Sequence, residues 1–270
     1  MTHRAFRFPA RFTATYGHVF VALFALGLSM LAAPLRGRTA GETLLYDGSL
    51  NTGTPDTQGL AYFGFGATQM FANGATTLTT SPQKGSQAGY TARAQLPMLD
   101  RTVGYLVRFS VQIVSEDHAG SDKNGDTLAD RAGFSVIVLS SDQVGIELGF
   151  WPDQIWAQED GAAQPPPNTN TLFTHAEGGT FDTTSALIAY ELHIQGDSYT
   201  LSSADAAIVR GRLRHYSAFG APYTNPNFLF LGDNTMSASA TIRLSAVAVA
   251  LDAIAPEHTV FLPLVLRPAT

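Results

Sequence analysis

The chain has 270 residues, of which 45% are hydrophobic, with no cysteine and a formal net charge of −6. Without cysteine there is no disulfide framework, no thiolate metal site and no cysteine nucleophile, so stability has to come from a buried core. The acidic balance argues against nucleic acid and anionic membrane surfaces as partners and leaves neutral polymers and cations.

Arg4, Arg7 and Arg11 precede the apolar run VFVALFALGLSMLAAPL at residues 19–35, and no Asp or Glu occurs before Glu42. This is the charge layout of an export signal. Neither Ala33 nor Ala40 completes a good small-x-small cleavage site, so residues 1–40 read as an N-terminal signal helix, either a signal peptide or an uncleaved signal anchor. That segment is the only expected membrane contact, since no later apolar run approaches the roughly twenty residues a span requires. Without it, the chain carries 11 basic against 22 acidic side chains.

From there on the sequence is all-β. GYLVRFSVQIV at 104–114 alternates strictly and predicts a strand with Tyr105, Val107, Phe109, Val111 and Ile113 on its core face. Similar runs at 134–140, 144–151 and 154–158 are joined by the short polar breaks SSDQ and PD. YELHIQGDSYTLS at 190–202 predicts a hairpin turning at Gly196 and Asp197, and AIVRGRL at 207–213 a third strand. NFLFLG at 227–232 and ASATIRLSAVAVAL at 238–251 bring the expected total to roughly a dozen strands, spaced as in an antiparallel sandwich or barrel. No fixed-period repeat occurs, so one sandwich over 43–251 is expected, followed by a tail at 252–270.

Two loops interrupt the strands, an acidic one at 116–131 and the proline-rich EDGAAQPPPNTNT at 159–171. In the first, Asp122, Asn124, Asp126, the Leu128 carbonyl and Asp130 fall at the spacing of positions 1, 3, 5, 7 and 9 of a calcium loop. Thr127 stands where an EF-hand needs glycine and Gly133 where it needs its bidentate glutamate, which excludes that motif. The stretch reads as a partial calcium loop or as a solvated polar turn.

Strand parity sets a second group of residues apart. With Ile146, Leu148 and Phe150 towards the core, Glu147 and Trp151 face away, as do Gln154, Trp156 and Gln158 on the next run and Glu191, His193 and Gln195 on the later hairpin. If those strands are neighbours, one sheet presents two tryptophan faces among amides and carboxylates, the chemistry that binds sugars. In the other reading the tryptophans fill a core or cover a strand edge. Glu147 and Glu191 are the candidate acid/base pair, since glycosidases place two carboxyls about 5–10 Å apart. The histidines at 118, 175, 193 and 215 read as surface or loop residues.

The succession AGFSVIVLSSDQVGIELGFWPDQIWAQ, YELHIQGDSYTLS and NFLFLGDNTMSASATIRLSAVAV resembles the concanavalin A-like lectin and glucanase superfamily, including laminin G-like modules. More narrowly it is similar to exported bacterial surface proteins of the choice-of-anchor type. The resemblance implies a jelly-roll sandwich. The clustered E-x-D-x-x-E strand of the glucanases has no counterpart, because GIELGF offers one carboxylate. The expectation is therefore an extracellular or cell-surface, non-catalytic sandwich that binds a polysaccharide or cell-envelope polymer. Calcium would brace the 122–130 loop, with Trp151, Trp156, Gln154, Gln158 and His193 as ligand contacts. The alternatives are a glycan-cleaving enzyme on the same fold and a purely structural envelope protein.

Overall fold

The computed structural model describes residues 41–81, 85–92, 96–118, 122, 125–127, 129–161 and 172–252. The expected leader at 1–40 and almost all of the expected tail lie outside these residues. Five strands come first: β1 (Glu42–Asp47), β2 (Leu60–Phe65), β3 (Thr68–Ala72), β4 (Ala75–Thr79) and β5 (Gln87–Ala92). They are followed by β6 (Tyr105–Asp117), β7 (Ser135–Leu139), β8 (Gly145–Phe150), β9 (Gln154–Asp160) and β10 (Leu172–Thr180). The last five are β11 (Ile188–Gln195), β12 (Ser198–Ser203), β13 (Ala206–Arg212), β14 (Phe228–Asp233) and β15 (Ser239–Leu251). Among the described residues no helix is long and apolar enough to cross a membrane.

All the pairings are antiparallel, and they form two sheets. The eight-stranded sheet runs β13-β12-β11-β6-β15-β4-β3, with β1 added beside the second half of β15. The seven-stranded sheet runs β10-β9-β8-β7-β14-β5-β2. The fold is an antiparallel jelly-roll sandwich, as the alternating runs imply.

Between the sheets lies one large core built from alternate positions. Tyr105, Val107, Phe109, Val111 and Ile113 of β6 are fully buried there, opposite Ile146, Leu148 and Phe150 of β8 and Leu229 and Leu231 of β14. Phe109 stacks on Tyr190 with ring centroids 5.2 Å apart, and Phe150 meets both edge-on at 6.0 and 5.6 Å. The expected strand from 104 extends to Asp117, because β15 continues to pair with it as far as Ser239.

Beyond β13 the chain leaves the eight-stranded sheet and crosses to the other. Arg214 and Gly145 exchange backbone hydrogen bonds of 2.7 and 2.9 Å, which adds the crossing segment to the edge of β8. The Arg214 side chain is almost wholly buried. It grips Glu177 of β10 through both terminal nitrogens, at 2.9 and 2.5 Å, and reaches Glu159 of β9 at 3.1 Å. Burial pushes the Glu177 carboxyl up, but the hydrogen bond and charge of Arg214 outweigh that and hold it below its ordinary value. A two-toothed guanidinium–carboxylate pair of this kind fixes geometry as well as charge.

Removing one partner of a buried pair strands the other. Arg214→Met is expected to lower the unfolding free energy by about 3 kcal/mol. Combining it with Glu177→Gln should recover part of that loss, and urea denaturation of the two variants measures both effects.

Candidate functional site

Much of the outer face of the seven-stranded sheet is covered, although Phe63 and Phe65 on β2 at its edge stay exposed. The segment at 213–227 folds back over it as a strap, and the 129–134 segment covers its other end. Sequence parity sends Glu147, Trp156 and Gln158 to this face, and the strap and loop then bury all three completely. Two apolar clusters form beneath the cover. One consists of Ile137, Leu139, Phe173, Tyr216, Tyr223 and Phe230, and the other of Ala132, Trp151 and Trp156.

Glu147 is the centre of the polar part. Its Oε1 accepts from Arg131 Nη2 at 3.0 Å and from Asn234 Nδ2 at 3.0 Å, and its Oε2 accepts from the Tyr223 hydroxyl at 2.5 Å. Arg131 Nη2 also donates to Asn234 Oδ1 at 2.8 Å, and its guanidinium carbon lies 4.6 Å from the centre of the Phe173 ring. These four residues come from the 129–134 segment, β8, the strap and the turn after β14, so one network pins three coverings to the sheet. The carboxylate is buried without being stranded, because all its contacts are donors.

Above this network opens a cavity of about 400 Å³. Phe173, Phe219, Pro222, Tyr223 and Met236 form its apolar walls; Arg131, Asn234, Gln87, Thr235 and Ser237 supply the polar groups. Phe173 reaches it from an irregular start of β10, where the register with β9 slips and its φ of 60° turns the strand. Gly89 on β5 leaves room for a ring: a Cβ there would lie 2.4 Å from the Phe230 ring. Phe219 and Met236 are mostly exposed at the cavity mouth.

The sequence-predicted ligand contacts fare differently. Trp156 is fully buried and Trp151 is 7% exposed, so their ring faces pack inside the protein and are not presented to a sugar. Trp151 stacks on His118 with centroids 3.9 Å apart, and Trp156 stacks on His175 at 4.1 Å. His118 follows β6 and stays 38% exposed, as a surface or loop residue would, whereas His175 stands on β10 and is half-buried against Trp156. Burial holds the His175 imidazole below its ordinary pKa. Gln158 is also buried and donates to the Asp130 carbonyl at 3.2 Å, while Gln154 is half-buried near the edge of the same face. His193 lies on β11 of the other sheet, 2.8 Å from Asp252, and joins none of them.

The expected acid/base pair is separated in the same way. Glu147 lies on the outer face of the seven-stranded sheet. Glu191 lies on the outer face of the eight-stranded sheet, where its carboxylate accepts from Arg108 at 2.9 Å and Arg108 also binds Glu42 at 2.8 Å. With the whole core between them, the two carboxyls cannot share a glycosidic bond.

Of the expected calcium set, Asn124 and Leu128 lie outside the described residues. Asp122 uses its carboxylate as a turn cap, accepting from the backbone N–H groups of Gly125, Asp126 and Thr127 at 2.7, 3.1 and 2.8 Å. This cap accompanies positive φ angles at Gly125 and Thr127, so Thr127 takes the left-handed backbone that a glycine would take in an EF-hand. Asp126 is exposed whereas Asp130 is buried. Among the described residues no group of three or more His, Cys, Asp or Glu is placed to hold a metal ion. Gly133 has a packing reason: a Cβ there would lie 2.0 Å from the Ser239 carbonyl carbon.

Sequence reasoning missed Arg131, Asn234, Tyr223, Phe173 and Phe219. None stands in a motif, and their convergence depends on where the strap lands. The one available signal was Glu147, an outward carboxylate in a run that is otherwise apolar.

No family model matches the sequence, and no curated protein matches it. Among solved structures, the chain is similar to a conserved carbohydrate esterase of the Shiga toxin-encoding bacteriophage phi24B. The identity there is 15% and the TM-score 0.52, over 79% of this chain and 100% of that one. The Ca²⁺-bound exoplasmic/lumenal domain of VIP36 matches at 10% identity and a TM-score of 0.46, over 78% of this chain and 91% of that one. Alginate lyase A1-II′ matches at 12% identity and a TM-score of 0.40, over 68% of this chain and 82% of that one. At such identities the likeness is one of fold.

One carboxyl beside the network makes stability pH-dependent. Burial pushes Asp233 up to about 7, against the Thr80 hydrogen bond, the Thr235 N–H and the charge of Arg131. Because its folded value lies above its unfolded one, the folded state holds an extra proton between about pH 4 and about 7. Stability should fall as pH rises through that window and then level off. Asp233→Asn is expected to flatten this slope, which urea denaturation at about pH 5 and about pH 8 would show as a smaller difference than in the unaltered protein.

Proposed function

We propose that this chain is an exported, non-catalytic β-sandwich that binds a glycan in the cavity over the outer face of the seven-stranded sheet. The observation that carries the reading is the cavity itself, with aromatic walls beside a floor of fixed amide, hydroxyl and guanidinium groups. Sugar rings place C–H faces on aromatic side chains and hydroxyls on such polar groups. A volume of about 400 Å³ suits one or two sugar residues. Phe65 extends the surface beyond the cavity: it pairs directly across from Gln87 on the same face, and is 70% exposed at the sheet edge. A polymer lying in the cavity would continue over it.

The non-catalytic part of the reading rests on Glu147. Three donors hold its two oxygens, and Glu191, its expected partner, is on the far sheet. Export, a surface location and a choice-of-anchor arrangement belong to the same proposal and rest on the basic-apolar leader of the sequence.

Binding to a polysaccharide panel, measured by affinity electrophoresis and calorimetry, is expected to weaken about tenfold on Phe219→Ala, a loss of about 1.4 kcal/mol, and less on Met236→Ala. Trp151→Ala should act through stability instead. Absence of binding across a broad panel would overturn the proposal, and release of shortened products would overturn its non-catalytic part. Because backbone N–H groups already cap Asp122, the melting temperature is expected to stay within about one degree on chelation or on adding Ca²⁺. A rise of several degrees with Ca²⁺ would reinstate a calcium-braced loop.

A further inference from the structure

Resting on that reading, we infer that the cavity selects uncharged glycan segments and rejects uronic-acid polymers. Arg131 is the one cation among the described residues that line it. Its charge is already matched, because Nη2 lies 3.0 Å from the buried Glu147 carboxylate. A ligand carboxylate approaching Arg131 would therefore meet Glu147 in direct contact with it.

Displacing Glu147 would leave a fully buried carboxylate with only neutral donors, a costly state. The remaining polar lining is uncharged: the amides of Gln87 and Asn234 and the hydroxyls of Thr235 and Ser237. Amides and hydroxyls exchange hydrogen bonds with sugar hydroxyls and carry no net charge to offset a carboxylate. The excess of acidic residues over the whole chain acts in the same direction at longer range.

The experiment compares neutral oligosaccharides (gluco-, manno-, xylo- and galacto-) with oligogalacturonate and oligo-alginate of equal length, by calorimetry at low and high salt. The full chain is the sample. The expected result is that some neutral oligosaccharide binds at least about tenfold more tightly than any uronate, with an affinity that changes less than about threefold with salt. Uronates binding equally well or better, or an affinity that collapses with salt, would overturn the inference while leaving glycan binding intact. No binding of either class would remove the function proposed above, and this inference with it.

Two variants sharpen the test. Glu147→Gln takes away the matched charge and should raise uronate affinity. If that variant unfolds, Ser237→Lys adds a cation to the cavity lining without touching the network, and should raise uronate affinity about tenfold and make it salt-sensitive. Failure of the folded variants to gain uronate binding would count against charge balance as the selector.

Discussion

The buried contact between Arg131 and Glu147 is the interaction on which the outer half of the molecule depends. A lone carboxylate on that face would have to be hydrated, and an opposing charge alone seldom repays desolvation. Here the Asn234 amide and the Tyr223 hydroxyl supply the other donors, so the Glu147 carboxylate is satisfied only when all the covering segments are in place. The pair therefore acts as a condition on assembly: the loop before β7, the turn after β14 and the strap must arrive together. A hydrophobic substitute could stabilise the sheet as well, but would not specify which segments cover it.

The sandwich has two quite different outer faces. On the eight-stranded sheet, Arg108 lies largely buried between Glu42, also nearly buried, and the partly exposed Glu191. The seven-stranded sheet is covered by a second, thinner layer of side chains, in which tryptophans stack on histidines and tyrosines surround Glu147. Arg214 makes this possible, because its grip on Glu159 and Glu177 brings the chain across from one sheet to the other just where the strap begins. The cavity is the gap that this layer leaves open, and its polar floor is the same network that holds the layer down. Structural support and candidate recognition thus share residues, so a change in the network would alter both.

Much of the strand pattern was legible in the chain. The 104–114, 144–151 and 190–202 runs alternate clearly, and the face assigned to each residue there holds in the structure. None of the first five strands was singled out, and two of them, ATTLT and QAGYTA, have few large apolar residues to mark them. All of β10, after the proline-rich loop, was equally missed. At the site, parity placed Glu147, Trp156 and Gln158 on the right face but could not tell covered from exposed. The tryptophans therefore read as ligand contacts, although they anchor the cover.

By itself the sequence determined the class of the protein. Period-two alternation across many short runs, punctuated by turn residues and without cysteine, buries a core as an antiparallel sandwich or barrel. Only the tertiary structure decided the site, because burial and pairing there depend on contacts between residues far apart in the chain. Arg131 and Asn234 are 103 positions apart and Glu147 and Tyr223 are 76, and no local period records such meetings. The tertiary fold likewise put Glu147 and Glu191 on opposite faces: strand parity shows which way a side chain leaves its strand, but not which sheet that strand joins.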